Sequence, residues 1–264
     1  MSNGWPTSRL DSEEAAFAAL LGLLRKRWLC RGQAKLFGNL IPSLQRATPG
    51  QSRLDRLRLE RRSIDLFRAT TRYFADAGEE PSLHDDLVAL MVLRHYGAPT
   101  RLLDWTLSPY IAAFFACQDY DEKDGEIWSF DHDRYASEGR RQWIRWPETC
   151  VGGDPEEFDF TLTAFRTRKP PDWFVCHFYP RGFPRQRAQR GFYSMTARFG
   201  RDHADAIANL LGDPAVYHRY TIDAALKPLL RKRLKDDWGI WRGSLYPDSA
   251  GAALVAASVF GGDV

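Results

Sequence analysis

The chain has only four cysteines in 264 residues, and their spacing excludes two common uses of this residue. Cys30, Cys117, Cys150 and Cys176 lie too far apart for paired zinc ligands, and four are too few for a disulfide framework. No apolar run approaches the ~20 residues that span a bilayer, and the first ten residues do not resemble a secretory signal. These absences predict a cytoplasmic protein with no membrane partner.

Several well-known catalytic and nucleotide-binding motifs are also missing from the sequence. There is no Gly-x-x-x-x-Gly-Lys loop, no Gly-x-Gly-x-x-Gly, no His-Glu-x-x-His and no Gly-x-Ser-x-Gly. No Glu is followed two positions later by Lys, and none of the six histidines pairs with a second His or Cys at ligand spacing. The sequence therefore predicts no metal site and disfavours a metal-dependent nuclease.

Lysine is scarce, whereas arginine is abundant. The chain has 7 Lys among its 37 basic residues, and its net charge is only +3. Arginine makes planar, two-pronged contacts with phosphates and carboxylates that lysine cannot make. The bias indicates an anionic ligand, although an Arg-rich genome would produce the same composition.

Helical and strand patterns alternate without repeats or linkers, which is typical of one α+β domain. We expect a domain over residues 1–264, comprising an N-terminal helical extension (1–26), a core (27–250) and a C-terminal helix or tail (251–264). Helices are predicted to begin at Ser12-Glu13, at Ser82 as N-cap and at Ser108-Pro109, where the proline takes the first helical position. Strands are predicted near residues 27–33, 125–130 and 217–222.

Three blocks of polar and aromatic residues stand out from this background. The first is Trp28-x-Cys30-Arg31-Gly32-Gln33, with Leu40-x-Pro42-Ser43-x-x-Arg46 after it. The second runs without interruption from Arg94-His95-Tyr96-Gly97 through Thr100-Arg101-Leu102-Leu103-Asp104 to Ser108-Pro109. The third is Gln186-Arg187-Ala188-Gln189-Arg190-Gly191-Phe192-Tyr193.

From about Trp28 to Pro247, these blocks resemble the FRG domain family, named for an aromatic-Arg-Gly signature near its N-terminus. Cys30 stands where the family has its aromatic residue, and Arg94 stands where the family often has Gln. Neither departure affects Arg31, Gly32 or the run from Thr100 to Asp104.

The order of the blocks is also similar to the layout of mono-ADP-ribosyltransferases. In that class an Arg or His on the first strand holds NAD, a Ser/Thr-rich strand precedes a helix, and a late Glu contacts the nicotinamide ribose. The resemblance implies a split antiparallel sheet surrounded by helices, NAD as the substrate and no metal. It carries over Arg31, Thr106 and Ser108, and it places Gln189 where the late Glu is expected.

Gln189 carries no negative charge, which matters for this chemistry. Cleavage of the ribose–nicotinamide bond develops positive charge on the sugar, as in glycoside hydrolysis, and a nearby carboxylate stabilises it. Asp104 is the first candidate for this carboxylate. The candidate catalytic residues are therefore Gln189, by its position, and Asp104, by its charge. The candidate NAD-binding residues are Arg31, Gly32, Gln33, Tyr96, Arg101, Thr106 and Ser108.

Structural roles are open for the same residues. Arg31 and Asp104 can form a structural ion pair, and His95 and Tyr96 can pack against each other. Thr106 and Ser108 can cap the following helix, and Gly191 can permit a close backbone approach.

Residues 165–201 form a basic segment with nine Arg or Lys against one Asp, interleaved with aromatic residues. Arginines bind phosphates and aromatic rings stack on unpaired bases, so Arg185, Arg187 and Arg190 are candidate nucleic-acid contacts. A solvated charged face is the alternative.

The sequence thus predicts an NAD-dependent ADP-ribosyltransferase, toxin-like or phage-defence-like, that modifies a nucleic acid or a protein. Its candidate partners are NAD, that acceptor and a neutralising antitoxin. The alternative is a non-catalytic module that binds nucleic acid or a nucleotide.

Overall fold

The computed structural model describes residues 4–73, 80–144, 174–177 and 184–260. Seven strands in these ranges form one sheet in the order β1-β7-β4-β2-β3-β6-β5. They are β1 (Thr7–Leu10), β2 (Leu29–Gln33), β3 (Leu103–Thr106), β4 (Gly125–Phe130), β5 (Phe174–His177), β6 (Gly191–Thr196) and β7 (Tyr217–Ile222).

Eleven α-helices in the described part of the chain surround this sheet. They are α1 (Glu13–Lys26), α2 (Ser43–Ala47), α3 (Arg53–Thr71), α4 (Asp86–His95), α5 (Pro109–Cys117), α6 (His132–Ile144), α7 (Pro184–Ala188), α8 (His203–Leu211), α9 (Lys227–Trp238), α10 (Arg242–Leu245) and α11 (Ser249–Ala257). The α+β class predicted from the sequence is confirmed. None of the helices in the described ranges has both the length and the apolar composition needed to cross a bilayer.

The centre of the sheet is weakly joined. Every other neighbouring pair of strands shares at least four register pairs, whereas β2 and β3 share one, between Cys30 and Thr106. The sheet therefore consists of a four-stranded half and a three-stranded half that separate beyond this pair. The sequence resemblance implied an antiparallel sheet. The sheet is instead mixed, because β1 runs parallel to β7.

Two glycines allow α5 to lie directly on the sheet. A Cβ atom at Gly32 would overlap the carbonyl oxygen of Ala112 and lie 2.7 Å from the amide nitrogen of Ala116. A Cβ atom at Gly125 would likewise overlap the carbonyl oxygen of Ala116. Helix α5 is almost entirely buried, and Ser108 caps it by accepting a hydrogen bond from the Ile111 amide. The close contact fixes the end of β2 against the helix.

The N-terminal segment contributes a strand to the sheet. Strand β1 pairs with β7 over four residues, and Leu20 and Leu23 of α1 lie in the same apolar cluster as α5. Strand β1 was not predicted from the sequence, because helical periodicity identifies α1 but not the strand that precedes it. Ser82 is also not the N-cap of α4; Asp85 takes that position and accepts from the amides of Leu87 and Val88.

A buried lysine holds two loops near the centre of the sheet. Lys227, at the start of α9, is fully buried, and its Nζ donates to the carbonyl oxygens of Ala34, Asp119, Tyr120 and Lys123. A buried ammonium is stable only when its donors are satisfied, and these carbonyls satisfy them. Lys227 thereby fixes the segment after β2 relative to the loop after α5.

The contact at Gly32 predicts a large effect for a small substitution. Gly32→Ala should lower the free energy of unfolding by about 1–3 kcal/mol, because backbone atoms of α5 cannot move away as a flexible side chain would. Urea unfolding measures the change. Gly22→Ala in α1 is the matched control, since a Cβ there meets nothing within 4 Å and should raise stability by about 0.5–1 kcal/mol. Equal stability of Gly32→Ala and the wild type would contradict the packing described.

Candidate functional site

A cavity of about 330 Å³ opens where β2 and β3 separate. Both halves of the sheet line it, through the end of β2, the middle of β3 and the start of β6. Charged side chains and aromatic rings lie side by side in its wall. The charged lining residues are Arg31, Arg46, Arg94, Asp104 and Arg185; the aromatic ones include Phe37, Trp105, Phe115, Phe192, Tyr193 and Tyr246.

Arg31 lies at the point where the two strands part. Cys30 and Gly32 face α5, so strand alternation directs Arg31 to the opposite face of the sheet. Its Nη1 donates to the backbone carbonyl of Asp104 at 2.8 Å and lies 3.7 Å from the carboxylate of the same residue. Burial lowers the pKa of Arg31 to about 10, with Asp104 opposing this shift and Arg94 and Arg46 adding to it. The guanidinium is therefore charged at neutral pH.

Asp104 is held more closely by Arg94 than by Arg31. The Nε and Nη2 atoms of Arg94 lie 2.7 and 2.6 Å from the Asp104 carboxylate. Burial in the protein acts to raise the pKa of Asp104, but the two guanidinium groups outweigh it and the pKa is lowered. The side chain is 41% exposed because it faces the cavity. Asp104 is therefore an ionised carboxylate, partly neutralised and open to a ligand.

Arg185 is a further positively charged residue in the cavity lining. Its Nη1 donates to the backbone carbonyl of His95 at 2.6 Å, and its guanidinium stacks 3.8 Å from the ring centre of Tyr246. Burial and the charge of Arg185 lower the pKa of His95 to about 4, so this imidazole is neutral at pH 7. Arg185, predicted as a nucleic-acid contact, points into the cavity.

The hydroxyl and amide groups predicted to bind NAD are engaged with the protein itself. Thr106 lines the cavity, but its hydroxyl accepts from the Ser108 amide, and Ser108 caps α5 without lining the cavity. Gln33 lines the cavity and donates from Nε2 to the buried Glu126 at 2.7 Å. These contacts match the helix-capping alternative for Thr106 and Ser108.

Two other predicted ligands lie away from the cavity lining. Arg101 is 2% exposed, forms a two-pronged contact with the buried Glu60 through Nε and Nη2, and stacks on Phe199. Tyr96 is 63% exposed and packs edge-on against His95, as the packing alternative predicted. Arg101 was predicted to bind NAD, but its buried partner Glu60 lies 41 residues away and leaves no local signal in the sequence.

Gln189 does reach the cavity. It follows the short helix α7, and its Nε2 donates to the backbone carbonyl of Leu245 at 3.1 Å. Gly191, two residues later, starts β6 and leaves room for Gln186, whose Nε2 donates to the Gly191 carbonyl. Arg31, Asp104 and Gln189 therefore line one cavity, whereas Ser108 does not.

The basic segment at residues 165–201 is only partly described. Residues 165–173 and 178–183 lie outside the described ranges, together with several of the predicted stacking aromatics. Of the described members, Phe192 and Tyr193 line the cavity, whereas Arg187 and Arg190 are exposed. Phe192 and Tyr193 thus face the cavity.

Comparison with known families addresses the first part of the site. Residues 26–125 match the model of the FRG domain. The match supports the family expected from the sequence blocks, over a shorter range than Trp28 to Pro247. No curated protein and no solved structure matches the chain.

The FRG segment contributes Arg31, Arg46, Arg94 and Asp104, the densest cluster of charge in the cavity. Arg185 and Gln189 also line the cavity but lie beyond this segment. Arg46 and Arg94 belong to the conspicuous sequence blocks, but they were not among the predicted site residues. Their positions in the first and second blocks were the available signal, and only the fold shows that α2 and α4 bring both side chains to the cavity, Arg94 to the Asp104 carboxylate and Arg46 beside Arg94.

A buried polar chain supports the cavity from behind. The indole Nε1 of Trp105 donates to the Ser194 hydroxyl at 2.7 Å, and that hydroxyl lies 2.9 Å from Nδ1 of His203. Burial, with a smaller effect from Arg31, lowers the pKa of His203 to about 3. Among the described residues no group of three His, Cys, Asp or Glu side chains is placed to hold a metal ion.

The lowered pKa of His203 predicts an acid-sensitive fold. A group with a folded pKa of about 3 and an unfolded pKa of 6.5 binds fewer protons in the folded state. Its contribution is therefore constant above pH 6.5 and falls by about 1.4 kcal/mol per pH unit below it. Urea unfolding of the wild type and of His203→Gln between pH 7 and 4 should show a steeper loss in the wild type. Parallel pH profiles would contradict the assignment.

Proposed function

We propose that the chain is an NAD-dependent ADP-ribosyltransferase and that the cavity between β2 and β3 holds NAD. The observation that carries this proposal is the meeting of Arg31, Arg94 and Asp104 at the separation of the two half-sheets. Guanidinium groups bind pyrophosphate, and the carboxylate faces the same space. The proposal includes a toxin-like or phage-defence-like role in the cytoplasm. It also includes a nucleic-acid or protein acceptor and a neutralising antitoxin.

Arg31 is suited to hold the pyrophosphate. Its described contacts use only Nη1, and its Nε is buried without a hydrogen-bond partner among the described residues. The guanidinium thus has donors left for a ligand, while the backbone contact with Asp104 fixes its position. A cation fixed before binding loses little conformational entropy when the ligand arrives.

Asp104 would supply the charge that the reaction needs. The bond between ribose C1′ and the nicotinamide nitrogen breaks, and nicotinamide leaves with the electron pair, which neutralises its ring. The acceptor's nucleophilic atom then bonds to C1′ and loses its proton to solvent. Positive charge develops on the ribose during this exchange, and Asp104 is the only carboxylate among the described residues that line the cavity.

One observation favours the non-catalytic alternative. Arg94 and Arg31 already surround the Asp104 carboxylate, and Gln189 brings no second negative charge. A carboxylate paired in this way stabilises a developing cation less strongly. The same cavity would then bind a nucleotide without turnover.

Substitution of Arg31 tests the binding part of the proposal. Arg31→Ala should weaken NAD binding by roughly tenfold or more, because a charge-assisted, two-pronged contact with phosphate is lost. Isothermal titration measures the affinity, and Arg58→Ala on the exposed side of α3 is the control. Unchanged affinity in Arg31→Ala would refute the clamp.

Substitution of Asp104 separates the enzyme from the binding module. Nicotinamide release from NAD, measured with a cell extract as acceptor, should fall by at least roughly 100-fold in Asp104→Asn, because the neutral amide cannot stabilise positive charge. NAD affinity should be retained or increased, since a negative charge beside the phosphates is removed. Absence of release from the wild type, with NAD bound, would establish the non-catalytic alternative.

Gln189 offers a gain-of-function test. If this position takes the place of the late Glu, Gln189→Glu should add a carboxylate to the cavity and raise nicotinamide release. Gln186→Glu is the matched control, because Gln186 also lines the cavity but is tied to Gly191. A rate unchanged or lowered in Gln189→Glu alone would remove Gln189 from the catalytic set.

A further inference from the structure

The cavity carries more positive charge than NAD requires. Four arginines and one aspartate line it, which leaves three positive charges in excess among the described charged residues of the lining. NAD carries two phosphate charges, and its pyridinium ring cancels one of them. Like charges that lie close together repel each other, so the excess favours a ligand with further negative charge.

The excess is concentrated on three neighbouring guanidinium groups. Arg46 and Arg94 both lower the pKa of Arg31, and burial together with Arg94 lowers the pKa of Arg46. Asp104 compensates Arg94 most directly, through contacts of 2.6 and 2.7 Å. In the described part of the chain, no carboxylate lies within ion-pair distance of Arg46.

Arg46 stands beside an aromatic ring at the cavity wall. Its Nη1 donates to the backbone carbonyl of Ile41, and its guanidinium lies 5.6 Å from the ring centre of Phe37. The ammonium of Lys35 lies 5.0 Å from the same ring. Phe37 lines the cavity, is 39% exposed and therefore presents an accessible aromatic surface close to two cations.

An exposed ring with two cations close to it suits a particular ligand group. A purine base stacks on an aromatic face, and a phosphate on the ribose attached to that base lies within reach of neighbouring cations. A phosphomonoester carries about −1.5 to −2 charges at pH 7, which would compensate most of the excess in the cavity.

We propose that the cavity selects a dinucleotide with an additional phosphate on its adenosine ribose, as in NADP, over NAD. Phe37 stacks on the adenine, and Arg46 with Lys35 binds the additional phosphate as the specificity-determining pair. The proposal rests on the proposed function, since it concerns which dinucleotide the same cavity takes.

The test compares affinities for NADP, NAD and ADP-ribose by isothermal titration of the full chain. NADP should bind roughly tenfold more tightly than NAD, as expected for one additional charge-assisted contact. Arg46→Gln should bring the NADP-to-NAD affinity ratio close to one, whereas Arg46→Lys should keep a preference. Arg58→Gln, an exposed arginine of α3 that pairs with Asp55, should leave the ratio unchanged.

Smaller ligands distinguish the source of the phosphate. Adenosine 2′,5′-bisphosphate should bind more tightly than AMP and more tightly than adenosine 3′,5′-bisphosphate. A preference for the 3′-phosphate, which the end of a nucleic-acid strand would carry, would overturn the assignment to an NADP-like ligand. Should Arg46→Gln fail to fold, Lys35→Gln tests the same subsite.

The two proposals fail in different ways. Equal affinities for NAD and NADP, or a ratio that Arg46→Gln and Lys35→Gln both leave unchanged, would overturn this inference while the NAD site stands. A lack of binding by NADP, NAD and ADP-ribose alike would overturn both.

Discussion

The direct contact between the backbones of β2 and α5 determines the geometry of the site. Gly32 and Gly125 have no side chain, so the helix lies against the sheet at Ala112 and Ala116. Cys30 and Gly32 face the helix, which directs Arg31 to the opposite face, where the two half-sheets part. An arginine followed by glycine thus combines a cation for the cavity with the close packing that fixes its position.

The separation of β2 from β3 creates both the cavity and its electrostatics. Beyond the Cys30–Thr106 pair, the Asp104 carbonyl accepts a hydrogen bond from the Arg31 side chain. The same side chain is thereby held beside the Asp104 carboxylate, which Arg94 approaches from α4. Lys227 helps to position the end of β2, because its ammonium donates to the carbonyl of Ala34, the residue after Gln33. Buried cations therefore serve as connections between segments as well as binding groups.

Local signals gave much of the secondary structure. Three elements lie where the sequence predicted them. They are α1 with its capping serine and first-turn acids, α5 with its Ser108-Pro109 start, and the alternating strand β4. The start of α4 was misplaced because Ser82 and Asp85 are both good N-caps three residues apart, and local pattern cannot choose between them. For the site, Arg31, Asp104 and Gln189 were identified and do line one cavity, but Arg101 was assigned to the ligand although Glu60 holds it in the interior.

The sequence by itself determined the α+β class, the FRG-like blocks and the residue types available for anion binding, because these depend on composition and short-range order. Only the tertiary structure decided which arginines face the cavity and which are used internally. That choice depends on partners distant in sequence, such as Glu60 for Arg101 and Tyr246 for Arg185. A guanidinium has the same chemistry in every position, and its role is set by whether a buried carboxylate, a carbonyl or an open cavity lies opposite it.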